Sequence, residues 1–180
     1  MAWTAPMTAV AGATFTAAQF NQFVRDNLNE TAPAKATAAS QLFVSTGPNA
    51  ITTRVPTQAS VSTTQSTTSS SFVDLTTVGP RVTVDTGNIA FVWFAASHAH
   101  NADNNETACS VAVSGASTVA ASNAWQHSVD GITAGNFVRG GSFHIFTGLN
   151  AGSNTFTMKY RVGASGTASF RDREIAVLPL

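Results

Sequence analysis

Cysteine is nearly absent. Cys109 is the only one in 180 residues, so no disulfide can form within the chain. Its neighbours are small and apolar, and no His or Asp pattern marks it as a nucleophile, so it is expected in the core. Charge is also scarce. Charged residues make up 10 % of the chain, against roughly 25 % in average soluble proteins. Nine basic residues balance nine acidic ones, and the densest basic grouping (Lys159, Arg161, Arg171, Arg173) is interleaved with Asp172 and Glu174. Phosphate binding needs clustered cations, so nucleic acid is excluded as an expected partner. No apolar run approaches the length of a membrane span. The first residues lack a basic n-region and are broken by Pro6 and Gly12, which speaks against a signal peptide and for synthesis in a cytoplasm. Phosphate loops, nucleophile elbows and paired-histidine zinc motifs are missing as well. Asp85, Asp130, Asp172 and Glu174 are too scattered to suggest a glycosidase pair, and the chain is expected not to be an enzyme.

What remains is a chain rich in Ala, Thr and Ser, of which 43 % is hydrophobic, enough for a real core. A surface of hydroxyls and amides raises no long-range self-repulsion, which suits packing among copies of itself. Residues 1–15 carry Trp3, Met7, Val10 and Phe15 in a broken context and are expected as an extended arm laid on another surface. Thr16 then reads as an N-cap with Gln19 three residues on, a capping box, and Phe15 and Phe20 occupy the staple positions. Phe20, Phe23, Val24 and Leu28 form one stripe of a helix over about residues 17–29, closed by Asn29 and Pro33. So short a helix needs something to dock on. A hairpin with its turn at residues 46–50 follows.

From Thr57 to Ser71 the chain is almost all Thr, Ser and Gln, and it reads as a linker or a polar edge strand. Residues 72–180 read as seven or eight short strands with turn punctuation, a mainly β, antiparallel sandwich or jelly roll. Residues 89–96 are apolar on both faces and should form a central strand, with Trp93 in the core. Residues 155–162 alternate cleanly, with Phe156, Met158, Tyr160 and Val162 on one side. His98, His100 and Asp103, beside an oxygen-rich run at a loop, are weak candidates for a metal site. An ordinary solvent-facing or intersubunit loop is the better expectation there, and no metal or cofactor is expected. Trp125 sits in a loop-like context, where core or subunit packing is expected over sugar stacking.

Residues 21–28, of the pattern Asn-Xxx-Xxx-Val-Arg-Asp-Asn-Leu, precede an Ala-Pro-Ala-Lys-Ala-Thr linker at 32–37. This opening resembles that of virion structural proteins encoded by phages of actinobacteria. The hairpin at 42–54 is similar to a short β-motif of phage fibres and head-surface proteins, and 156–161 and 168–180 resemble the last strands of the β-sandwich domain in the same proteins. The matches touch about half the chain and carry no catalytic or ligand signature; Ala39-Ser40 stands where Ala-Gly is usual. The resemblance implies a homotrimeric component of a tailed-phage virion. The expected role is capsid (head) decoration, with residues 1–56 gripping the shell and its major capsid protein through Trp3, Phe15, Phe20, Phe23, Val24 and Leu28. The alternative is a minor tail or receptor-binding protein reading host cell-wall glycan through loops 98–106 or 122–130. A glycan-cleaving enzyme is the third reading.

Overall fold

The two sharpest local signals, the capping box and the alternation of 155–162, are both realised. In the computed structural model, which describes residues 3–180, the chain divides into two compact units, Met1–Val55 and Pro56–Leu180. In the first, Thr16 accepts from the Gln19 amide while Gln19 accepts from the Thr16 amide, closing the box. Phe15 and Phe20 meet edge to face with centroids 6.1 Å apart. The helix that follows, α1, is not uniform. Ala17–Phe20 is α-helical, Asn21–Arg25 makes a π-helical turn, and Asp26–Leu28 returns to α. Wider spacing in the middle rotates the residues after it, so the stripe read at α-helical period splits. Phe23 and Val24 are half-buried, whereas Phe20 and Leu28 are exposed.

A short helix α2 (Ala32–Lys35) occupies the stretch expected as linker. The hairpin follows as β1 (Leu42–Gly47) and β2 (Ala50–Arg54), with Asn49 at positive φ in the turn.

The second unit is an antiparallel β-sandwich. One sheet holds β5 (Arg81–Thr86), β10 (Gly152–Val162), β7 (Thr107–Gly115) and β8 (His127–Val129), in that order. The other holds β3 (Thr57–Val61), β11 (Ala168–Pro179), β6 (Ile89–His100) and β9 (Val138–Thr147), with β4 (Gln65–Thr67) also pairing β11. The Thr/Ser-rich stretch, read as a linker or a polar edge strand, carries two strands of this sheet, and the β-unit begins at residue 56.

The core lies between the sheets, where Phe156, Met158, Tyr160 and Val162 are completely buried on the inward face of β10. Val92 and Phe94 of β6 and Ile175 and Val177 of β11 face them from the other sheet. Burying side chains of this size stabilises by about 1.5–3 kcal/mol each, which is the main force joining the two sheets.

β11 carries the one irregularity with large effects. Its register with β6 shifts between Arg171 and Glu174, and Asp172 there takes φ +47°. This bulge turns Arg173 inward, and its side chain is completely buried. Its guanidinium donates to the carbonyls of Gly79 (3.0 Å) and Thr77 (3.4 Å) and to Gln65 Oε1 (3.2 Å), and lies over the Tyr160 ring.

Candidate functional site

Large apolar side chains on the outside are the feature of this chain that packing within it does not explain. In the first unit Trp3, Val10, Phe15, Phe20, Leu28, Leu42 and Phe43 are all exposed, Leu28 at 60 %. The buried positions among its described residues are polar, Asn27 and Glu30. Asn27 holds the arm to α1: its side chain accepts from the Thr4 amide and donates to the Thr4 and Phe23 carbonyls, each at 2.9–3.0 Å. Trp3 donates its amide to Asn49 O in the hairpin turn, and Lys35 pairs with Glu30 at 2.9 Å. Polar contacts thus help organise this unit while many of its large hydrophobic groups stay exposed. Of the expected attachment residues, Trp3, Phe15, Phe20 and Leu28 are exposed, and Phe23 and Val24 are half-buried.

The second apolar surface is on the outer face of the β3–β11–β6–β9 sheet. β6 is central, as its apolar character on both faces implies. Its inward residues are buried, but its other face lies open, and Trp93 is 44 % exposed instead of in the core. A sandwich covers each sheet on one side only, so the second apolar face of a central strand becomes a surface patch. Cross-strand pairing sets Trp93 against Phe143 and Phe91 against Ile145. The three rings are close: Phe91 stacks with Trp93 at 6.2 Å and with Phe143 at 6.0 Å, and Trp93 is tilted by 34° against Phe143 at 5.3 Å.

Beside these rings the sheet surface dips. Ala95, Gly141 and Ala176, one from each of three strands, supply side chains too small to fill the space. The depression measures about 460 Å³ and is bounded by Trp93 and Phe143, with Gln58 and Glu174 also on its border. Glu174 pairs at 2.7 Å with Arg139, and both side chains are about half exposed. The floor is tight: a β-carbon on Gly141 would collide with the Phe94 carbonyl and with Ala95.

The expected metal candidates are placed otherwise. His98 and His100 are both buried, not at the solvent edge, because β6 runs inside the sandwich through to His100. The His98 ring contacts Thr107 Oγ1 at 3.0 Å and Cys109 Sγ at 3.7 Å, and packs edge-on against Phe170 and His127. Burial, reinforced by the neighbouring His127, lowers its pKa from 6.5 to about 3. Burial likewise lowers the pKa of His127, whose buried Nε2 has no hydrogen-bond partner and packs against Gly140. His100 bonds through both ring nitrogens to residue 102 and to the Ser165 carbonyl. Asp103 accepts from the Ala134 amide. His98 thus packs among strands while His100 and Asp103 hold loops, and no group of three His, Cys, Asp or Glu suited to a metal occurs among the described residues.

Cys109 is in the core as expected, and burial pushes its thiol pKa up. Trp125 packs too, donating its Nε1–H to the Val111 carbonyl and stacking on His144 at 4.7 Å. No helix among the described residues is long and apolar enough to cross a membrane.

Neither a family model nor a curated protein matches this sequence. Solved structures of similar shape include one of the infectious bursal disease virus Gx strain, with 12 % identity and a TM-score of 0.47 over 74 % of this chain. This chain spans 35 % of that one. Eiger TNF from S. frugiperda is 11 % identical with a TM-score of 0.45, covering 71 % of this chain and 92 % of that one. TmCBM61 in complex with beta-1,4-galactotriose is 13 % identical with a TM-score of 0.32, covering 84 % and 96 %. At these identities, and with TM-scores below one half, the likenesses say nothing of function.

Proposed function

We propose that this chain is a non-enzymatic structural protein of a tailed-phage virion, a head decoration protein that binds the capsid through its N-terminal unit and projects its β-sandwich. The observation that carries the reading is the first unit, where Trp3, Val10, Phe15, Phe20, Leu28, Leu42 and Phe43 are exposed while the buried positions among its described residues are the polar Asn27 and Glu30. Leaving so many large apolar groups in water is unfavourable by about 25 cal/mol per Å², so the unit is completed by a surface that covers them. The major capsid protein is the proposed surface, and the low-charge exterior suits a homo-oligomer, a trimer by the resemblance to phage virion proteins.

Immunolabelling of purified virions with antibody to the β-unit should decorate the head at hundreds of copies per particle. A handful of copies at the tail would replace the decoration reading with a minor tail protein. Light scattering that shows only monomer at micromolar concentration would remove the oligomer.

Leu28 gives the sharpest test of attachment, since its side chain is exposed and contributes nothing to a core here. Leu28→Asp should leave the melting temperature of the purified protein unchanged and lower its occupancy on particles by about tenfold or more, the equivalent of losing one buried leucine contact. Unaltered occupancy, measured by quantitative gel densitometry of virions, would show that this face of α1 is not the anchor.

A further inference from the structure

We propose that the depression on the outer face of the β3–β11–β6–β9 sheet is a binding site for a neutral saccharide. This goes beyond the decoration reading and does not depend on it, and it lies on the sheet rather than in loops 98–106 or 122–130.

Antiparallel sheets normally turn polar side chains to water on the uncovered face. Here the uncovered face presents Phe91, Trp93, Phe143 and Ile145 together, and a contiguous apolar patch of this kind marks a recognition surface. Its shape favours a small ligand over a flat partner. The floor of Ala95, Gly141 and Ala176 makes a dip of about 460 Å³, within the range of small-molecule sites at about 300–1,000 Å³. Three neighbouring strands hold that floor, so the site is rigid and already formed.

The border specifies the chemistry. Trp93 and Phe143 offer π-faces, which attract the C–H face of a pyranose ring. Gln58 supplies an amide that both donates and accepts, and Glu174, paired with Arg139 outside the border, accepts. Because Arg139 and Glu174 neutralise each other, the site selects neither cation nor anion: either would have to compete with an existing ion pair. A second copy of the chain pressed here would have to strip water from that pair, which is costly unless its hydrogen bonds are replaced. Ring hydroxyls replace the water while the apolar face covers the aromatics. A neutral sugar therefore fits both halves of the site.

The test titrates the full chain with β-linked glucose, galactose and N-acetylglucosamine disaccharides, followed by saturation-transfer NMR and tryptophan fluorescence, with light scattering in parallel. At least one disaccharide should bind with a millimolar or lower Kd. Trp93→Ala should weaken it by about tenfold or more, the loss of one stacking platform. Trp93 lies outside the core, so the variant should stay folded with only the loss of its ring contacts to Phe91 and Phe143, and Glu174→Gln should weaken binding less than Trp93→Ala. Binding of none of the three at millimolar concentration overturns the proposal, as does binding that survives Trp93→Ala. If Trp93→Ala instead dissociates an oligomer that binds no sugar, the face is a contact between copies and the saccharide site is wrong.

Discussion

Arg173→Ala is expected to destabilise the β-unit by about 3–5 kcal/mol, lowering its melting temperature by roughly 10–20 °C. The side chain is completely buried, and among the described residues no carboxylate pairs with it. What offsets the desolvation of its charge is a set of oxygens, from Gly79, Thr77 and Gln65, together with the face of Tyr160. Tyr160 donates its own hydroxyl to the same Gly79 carbonyl at 3.0 Å, and burial raises its pKa. Removing the guanidinium leaves those acceptors short of donors inside the protein and opens a cavity where the aliphatic stem lay. Arg173→Met keeps most of the stem, so it should recover part of the loss. Urea unfolding of both variants checks this. A cost below about 1 kcal/mol for Arg173→Ala would mean that the segment around Gly79 is held by other contacts.

The second large effect is a loss of stability in mild acid, centred on His98. Folding keeps this ring neutral, with its pKa at about 3 against the ordinary 6.5. Above pH 6.5 neither the folded nor the unfolded chain holds the extra proton, and the stability is complete. As pH falls below 6.5 the unfolded chain takes up the proton and the folded one does not. Stability then drops by about 1.36 kcal/mol per pH unit, until the folded ring protonates too. Two units below the ordinary pKa the loss from this residue is about 2–3 kcal/mol. The groups packed against it give no relief, since Thr107 and Cys109 are neutral, Phe170 is apolar, and His127 shifts in the same direction. Denaturant melts from pH 7.5 to 4.5 should show the slope in the wild type, and His98→Leu should flatten it. An identical slope in the variant would assign the acid sensitivity to other groups.

How much of this was legible in the sequence depends on the range of the signal. The start of α1 was, because a capping box is made by residues three apart and a staple by residues five apart. The inward face of β10 was, because strict alternation has one reading. The π-helical turn was not, since nothing local distinguishes it from α-helix, and with it went the coherence of the Phe20–Leu28 stripe. The partner of residues 57–61 lies more than a hundred positions away in β11, so only the pairing decides between the linker and the polar edge strand that the composition allowed. Trp93 reads as core because a strand apolar on both faces is the usual sign of complete burial; only the absence of a third layer exposes it. His98 and His100 stand just before a polar loop, which suggests solvent, yet β6 is still inside the sandwich at both. Arg173 was the least accessible, since its inward turn follows from the bulge and the bulge from no local residue signal. Asn27 carried no signal of its own; its role needs the arm folded back to Thr4.

The placement of β11 bears on how the protein is made. The last strand in sequence occupies the middle of its sheet, joined to β6 on one side and to β3 and β4 on the other. A chain emerging from the ribosome can pair β6 with β9 early, but β3 and β4 have no partner until residues 168–179 arrive. During that interval β6 offers an open edge where β11 will pair, the kind of surface on which nascent chains associate wrongly. Such long-range closure makes folding slower than in topologies built from local contacts. Factors that shield nascent β-strands should therefore raise the yield of this protein.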